Sequence, residues 1–455
     1  MSQISNFTEG KIFSPLLKFS IPILMTLFLQ TLYGAVDLLI VGQFGSALDV
    51  SAVSTGSQVM MTISSIIIGL TMGVTILMGQ ILGENKKEDA CDVVGSAISI
   101  FIVLAIILSI LVVVFASNIS EFMHAPVEAF EGTVNYVQLC GMGIVFVISY
   151  NVLGGVFRGL GDSKTPLITV AIACVVNIIM DLILVGYFNM ASSGAAIATV
   201  IAQAVSVILS LAIVKKKGLP FEFSMKNIKF HNIYTKQILK FGIPVALQDL
   251  LVNFSFLVIM IIGNSMGVVA SAGIGVAEKL VGFIMLVPIA FGQAISVFTA
   301  QNYGAKKYDR AKKGLMYTIS TSLLFGVIMF YLVFAHGDML SKIFSNDAFV
   351  VMASFDYLKA YAIDCLFTAI MFSMVGYFNG LGKTTFVMMQ GVFGAFCIRI
   401  PLAYLISTMD SPSLFTIGLA TPTSTFVQVV LCILYFVYTS KKMNVEKSKL
   451  DFELV

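Results

Sequence analysis

Apolar runs of 18 or more residues recur along this chain, as in Ile98–Phe115. Such a run matches a hydrocarbon core of about 30 Å crossed at about 1.5 Å per residue. Inside that core the backbone has to satisfy its own hydrogen bonds, so a run of this length folds as a helix. The chain is 58% hydrophobic and only 11% charged, with a mean hydropathy of +0.97. A soluble domain carries roughly 25% charged residues. The pattern predicts twelve spans, at about 13–41, 55–82, 93–115, 133–157, 166–188, 192–214, 236–262, 274–302, 314–335, 356–380, 384–407 and 414–438. The first apolar run, Ile12 to Val41, carries Pro22 and Asp37 and is too long for the core of a signal peptide, so no cleaved leader is expected.

Lysine and arginine orient the spans. With the N-terminus inside, 23 of the 27 basic residues fall in inner segments. Only Lys342 falls in an outer loop, while Lys279, Lys359 and Arg399 lie within or at the edge of spans. The outer loop 116–132 carries Glu121, Glu128 and Glu131 and no base. Both termini are therefore expected in the cytoplasm. The expected organisation is a six-helix lobe at 1–214, a cytoplasmic linker at 215–235, a second six-helix lobe at 236–438 and a cytoplasmic tail at 439–455.

The two halves repeat. Leu17-Lys18-Phe19-Ser20-Ile21-Pro22 matches Leu239-Lys240-Phe241-Gly242-Ile243-Pro244 at an offset of 222. Gly79-Gln80-Ile81-Leu82-Gly83 matches Ala300-Gln301-Asn302-Tyr303-Gly304, and Arg158-Gly159-Leu160-Gly161-Asp162 matches Asn379-Gly380-Leu381-Gly382-Lys383, both at an offset of 221. With six spans each, the halves share one orientation. The fold class read from the sequence is an all-α integral membrane protein of twelve transmembrane helices in two six-helix lobes related by a parallel internal repeat, an arrangement used by transporters.

These features together resemble the multidrug and toxic compound extrusion (MATE) transporters. The resemblance rests on the two six-span halves, on the prolines of spans one and seven, and on the elements around Gln80 and Gln301. It rests also on Arg158-Gly159-Leu160-Gly161-Asp162-Ser163-Lys164-Thr165-Pro166. It covers essentially the whole chain. It implies efflux of organic, often cationic, compounds driven by inward Na⁺ or H⁺ flow. Tyr33, Asp37, Asn177 and Asp181 look like the cation site of the prokaryotic branch near the DNA-damage-inducible (DinF-like) subgroup. A glutamate in span seven, found in the NorM-type branch, is missing here, where the span reads Ala246-Leu247-Gln248-Asp249.

The residues themselves point the same way. An ionisable group in a span costs about 2.5–3.5 kcal/mol on insertion scales and is a functional candidate by default. Asp37 and Asp181 fall at similar depth in the outer half of the first lobe. Asn177 lies one turn from Asp181 on the same face, and Thr199 of span six reaches the same level. Tyr136 lies near the mouth and Asn151 deeper. All offer hard oxygen ligands suited to a small cation, Na⁺ by preference, or H⁺. The competing reading is a set of interhelical hydrogen bonds. In the second lobe, Asp249, Glu278, Asp364 and Arg399 are secondary candidates, either for a substrate or proton role or for a structural charge network in which Arg399 pairs with Asp364 or Glu278. Repeat matching sets Asp37 opposite Ile259, so the cation site is not duplicated. Prolines 22, 244, 288 and 401 are expected to break hydrogen bonds within spans. Pro22 shares its span with Asp37 and is the hinge candidate.

Other classes fit less well. The six cysteines are scattered without a Cys-x-x-Cys pair, and the three histidines, at 124, 231 and 336, lie between apolar runs. An enzyme is therefore not expected, and no cofactor beyond the coupling ion, Na⁺ or H⁺. A flippase for lipid-linked precursors is the alternative, but it calls for a cleft rich in Lys and Arg. The expected partners are small organic substrates and the lipid bilayer, with no nucleic acid, for a monomer in a bacterial cytoplasmic membrane. Topology is checked by single cysteines in a cysteine-free background. An impermeant maleimide added to whole cells should modify His124→Cys and spare Met225→Cys; outside labelling at 225 would invert the orientation.

Overall fold

The structure is a computed structural model and describes residues 7–409 and 412–453. The extreme ends of the chain, expected in the cytoplasm, lie outside the described residues. In chain order the α-helices are α1 (Phe13–Phe44), α2 (Ala47–Gly83), α3 (Lys87–Val114), α4 (Ala116–Phe122), α5 (Phe130–Met142), α6 (Ile144–Gly159), α7 (Lys164–Asp181) and α8 (Ala191–Lys217). They continue as α9 (Asn232–Ser265), α10 (Val268–Ile284), α11 (Leu286–Gly304), α12 (Tyr308–Ser341), α13 (Ala348–Gly380), α14 (Thr384–Phe393), α15 (Ile400–Ser407), α16 (Leu414–Gly418) and α17 (Ala420–Glu453). Among the described residues, eleven helical segments are long and apolar enough to cross a membrane. A bent pair built on α5 and α6 makes the twelfth.

Large apolar side chains point outward in quantity, with Leu39 68% and Val114 65% exposed. A soluble monomer seldom exposes apolar surface on that scale, and a bilayer covers it. Where helices meet, small residues replace bulk. Gly155 and Gly159 of α6 pack against Thr71, Thr75 and Met78 of α2 so closely that an added Cβ would collide with them. The Thr75 hydroxyl donates to the Gly155 carbonyl at 3.1 Å across this contact. The same crossing recurs 221 residues on, where Gly376 and Gly380 of α13 meet Gly292, Ser296 and Thr299 of α11. Other hydroxyls turn back onto their own helix, as Thr71 does onto the Ile67 carbonyl at 2.7 Å, which satisfies them without water.

The chain divides into two compact units. One holds Leu17–Ala246 with residues 7–9, and the other holds Gly10–Leu16 and the chain from Leu247 onward. The division falls within α9. The segment read as the linker begins inside α8, which runs through Lys217, and ends inside α9, which starts at Asn232. Between them lies one short 3₁₀ turn, Met225–Asn227. That segment lies against α3, with Asn227 Nδ2 3.3 Å from Asp92 Oδ1 and the His231 ring 3.3 Å from the same oxygen.

Several spans are less regular than the hydropathy suggests. The fourth bends by 50° at Gly143. The eighth is interrupted at Met285, between α10 and α11. The fifth and eleventh each contain a π-helical turn, Leu182–Tyr187 and Gly394–Arg399. Pro22 and Pro244 lie inside helices as expected. Pro288 and Pro401 also lie within helical spans, each beside an irregularity of the helix, the break at Met285 and the π-helical turn Gly394–Arg399.

The glycine crossings predict a steep contrast. Gly376→Val should cost about 1–3 kcal/mol through overpacking. Gly282→Ala, with nothing within 4 Å of the added carbon, should be near neutral. Thermal unfolding of the two purified variants measures the difference, and equal midpoints would contradict this packing.

Candidate cation site in the first unit

Three helices bring the site together. Asp37 is on the last part of α1, Asn177 and Asp181 end α7, and Thr199 is in α8. Asn177 and Asp181 are four apart on a helix and so share a face. The chain enters a π-helical turn directly after Asp181. Such a turn is a one-residue insertion that re-aims side chains and often marks functional positions.

Asp37 is 6% exposed, and Asn177 and Asp181 are fully buried. The Asp37 and Asp181 carboxyl groups adjoin each other, with the Asn177 amide beside Asp37. The Thr199 hydroxyl donates to Asp37 Oδ2 at 3.5 Å, a long bond. The remaining polar atoms are unpartnered: Asp37 Oδ1, both Asp181 carboxylate oxygens, and Asn177 Oδ1 and Nδ2. A buried polar atom left without a partner costs about 1–3 kcal/mol, more when charged. No ion pair with Lys, Arg or His reaches either acid among the described residues. Four orphaned oxygens on the two acids and Asn177, with no base to answer them among the described residues, form a cradle of the chemistry that suits a small cation or a proton.

The other candidates fall into place around this cluster or away from it. Tyr33, one turn before Asp37 on α1, neighbours Asp37 and Asp181 and lies against Gln203 of α8. Tyr136 is buried in the same part of the unit, packed with Val41, Cys140 and Val185. Its hydroxyl is 3.3 Å from the Ser57 hydroxyl rather than on the acids. Asn151 does not join the cluster, because its amide donates to the Val147 carbonyl of its own helix at 2.8 Å. Pro22 lies about four turns before Asp37 on α1, and its carbonyl accepts the Thr26 hydroxyl at 2.8 Å.

In the second unit, Arg399 and Asp364 are buried, whereas Glu278 and Asp249 are half-buried. The expected pairing of Arg399 with Asp364 or Glu278 is not formed, since no carboxylate lies within 4 Å of its guanidinium. Its Nη1 donates instead to the Ser255 hydroxyl at 2.9 Å, and the group lies 4.2 Å over the Phe256 ring.

The structure also adds residues that sequence reading passed over. Inward of Asp37, a cavity of about 20 Å³, room for one water, is lined by Gln30, Tyr33, Tyr150, Cys174, Gln203 and Ser206, among others. Gln30 Nε2 donates to the Tyr150 hydroxyl at 3.2 Å. The signal was present in spacing. Thr26, Gln30, Tyr33 and Asp37 follow a 4-3-4 rhythm along α1, as do Thr199, Gln203, Ser206 and Ser210 along α8. Each series is one polar stripe on an apolar helix.

A helical bundle with an apolar exterior and a buried, base-free acid pair is a membrane transporter by class. Comparison with known proteins gives the family. A sequence model of the MatE family matches the chain twice, at residues 22–183 and 244–405. The second match begins and ends 222 residues after the first. This chain belongs to the MatE family, whose members are transporters rather than enzymes. It is similar to the Bacillus subtilis probable multidrug resistance protein YoeA, at 23% identity over 94% of both chains. It is also similar to the probable multidrug resistance protein YpnP of the same organism, at 28% identity over 88% of this chain and 90% of YpnP. In fold it is similar to a MOP superfamily transporter from Pyrococcus furiosus, at a TM-score of 0.90 and 18% identity, covering 98% of this chain and 99% of that one.

Read as a Na⁺ site, the cluster has members that should differ in weight. Thr199→Val removes one long hydrogen bond and should weaken Na⁺ binding on the order of tenfold or less. Asp181→Asn removes a charge and should weaken it by more than about 100-fold, some 3 kcal/mol. Titration of the purified protein with ²²Na⁺ measures both. Equal losses would remove Asp181 from the site.

Proposed function

We propose that this protein is a secondary antiporter that exports amphiphilic, cationic organic compounds in exchange for Na⁺ or H⁺, with Asp37 as the central coupling residue. It would work in a bacterial cytoplasmic membrane with both termini on the cytoplasmic side. The family and the names of its relatives support multidrug efflux. The observation that carries the coupling is the set of unpartnered buried oxygens on Asp37, Asp181 and Asn177.

The chemistry follows from cost. Two adjoining carboxylates in a low-dielectric interior repel, and a proton or Na⁺ relieves that repulsion. The Asn177 amide oxygen and the Thr199 hydroxyl add neutral oxygens that a proton does not need and Na⁺ does. Na⁺ is therefore the preferred ion, and protons compete with it. As pH falls, protonation of either acid removes a ligand charge, so apparent Na⁺ affinity falls with it. Tyr33, Gln30, Gln203 and Ser206 continue the polar surface inward from the acids and give the ion a path toward the cytoplasm. Filling or emptying the cluster at the outer end of α1 shifts that helix about Pro22, so that ion and exported compound exclude each other.

The test is efflux of a cationic dye from proteoliposomes under imposed Na⁺ or pH gradients. The native chain should respond to one or both. Asp37→Asn should abolish gradient-driven efflux while the protein folds and inserts normally. Efflux that persists in both Asp37→Asn and Asp181→Asn would place the coupling site elsewhere. Movement of anionic lipid-linked sugars without movement of cationic dyes would favour a flippase.

A further inference from the structure

The internal repeat lets each residue of the first cation cluster be located in the second unit. At the offset of 222 that holds at both ends of the two family matches, Tyr33 corresponds to Ser255 and Asp37 to Ile259. In the middle of the repeat the motifs fix an offset of 221, and Tyr136 corresponds to Tyr357. The π-helical turn Gly394–Arg399 then adds one residue. From its last residue onward the offset is 222, as at the ends of the family matches, and Asn177 corresponds to Arg399 and Asp181 to Ala403.

The structure bears out the mapping in space. Ile259, Tyr357 and Ala403, the counterparts of Asp37, Tyr136 and Asp181, pack in one buried apolar cluster. Ser255 and Arg399, the counterparts of Tyr33 and Asn177, are joined by the 2.9 Å hydrogen bond. The second unit therefore has neither acid of the cluster and carries a guanidinium where the first has an amide. That guanidinium is 5% exposed. It has one side-chain hydrogen bond and an aromatic face, while its Nε is unpartnered. The groups facing it are Tyr357, Tyr361 and Asp364. A charge kept at this depth with so few partners is costly if its role is packing alone.

We propose that Arg399 is a tethered cation, a positioning residue that permanently fills the second lobe's counterpart of the ion site. Asp364, the one acid among the groups facing the guanidinium though not in ion-pair contact with it, is its counter-charge. The guanidinium holds the second lobe in the arrangement that the first lobe takes only with its ion bound. Ion exchange then switches one lobe against a fixed one. The proposal rests on the reading of Asp37 as the coupling site, and the experiment separates the two.

Thermal midpoints of the purified full-length protein are compared in NaCl and in choline chloride, and at high and low pH. The native chain should be stabilised by Na⁺ or H⁺, and Asp37→Asn should lose that shift. If the native chain shows no shift, or Asp37→Asn keeps it, the reading of the first site fails. Arg399→Lys should behave as the native chain. Adding Arg399→Gln to Asp37→Asn should create a new Na⁺- or H⁺-dependent shift, because Asp364 then lacks its cation. No new shift, with Asp37→Asn behaving as expected, overturns the tethered cation alone. Should the double variant not fold, Asn177→Arg decides. It should fold, show no Na⁺ shift and melt at least as high as the native chain in saturating Na⁺. A remaining Na⁺ shift, or failure to fold, overturns the proposal, since it requires that position to accept a guanidinium.

Discussion

Two carboxyl groups set against each other inside a hydrocarbon-facing bundle repel, and Asp37 and Asp181 are placed in that relation with no base nearby. Much else in the first unit is arranged around that repulsion. Asn177 and Thr199 present neutral dipoles to it rather than opposite charges, so it is left available to a mobile ion. A lysine in their place would end it permanently. The surrounding helices close the cluster off from lipid, which keeps the dielectric low and the electrostatic stakes high. An ion bound there, as proposed, would act on the ends of α1 and α7 and on α8 at once, which is what a switch between two packings needs.

The scaffold that permits this is made of backbone contacts. Lipid tails give helices no hydrophobic reason to associate, so close approach through small residues supplies the cohesion. Gly155 and Gly159 of α6 against α2, and Gly376 and Gly380 of α13 against α11, place two helix axes at near-minimal separation in each unit. Such contacts resist continuous deformation. The helical hydrogen-bond ladder is already interrupted elsewhere, at Pro22 inside α1, the bend at Gly143, the break at Met285 and the π-helical turns after Asp181 and before Ile400.

The helices were legible because a bilayer demands long apolar runs, and the repeat because three motifs kept their order. The acids were legible because a charge in a span is expensive. What sequence could not give was azimuth. Asn151 has a plausible depth but the wrong face, and bonds to Val147 instead. Gln30, Gln203 and Ser206 were missed because a neutral polar residue in a span is cheap and common, although their 4-3-4 spacing carried the information. The π-helical turns leave no mark in composition. The sequence motifs give offsets of 222 and then 221, and only the ends of the family matches restore 222, next to the extra residue in the backbone of Gly394–Arg399. The bend at Gly143 was equally hidden, because glycine in a membrane helix more often serves packing than bending.

A duplicated chain begins with two copies of every feature, and the two kinds of feature here have fared differently. The glycine crossings survive in both halves because replacing one forces backbones apart. The polar cluster is present in one half alone, and asymmetric cost gives a physical reason for that difference. A packing contact that is no longer used for function still contributes stability. An unused acid pair in hydrocarbon contributes only repulsion, so each of its members is under pressure to become apolar or to gain a fixed partner. Ile259 and Ala403 show the first outcome and Arg399 the second. On the proposal that Arg399 fills this position, the second lobe would keep one arrangement whatever the ion, and only the first would respond to it.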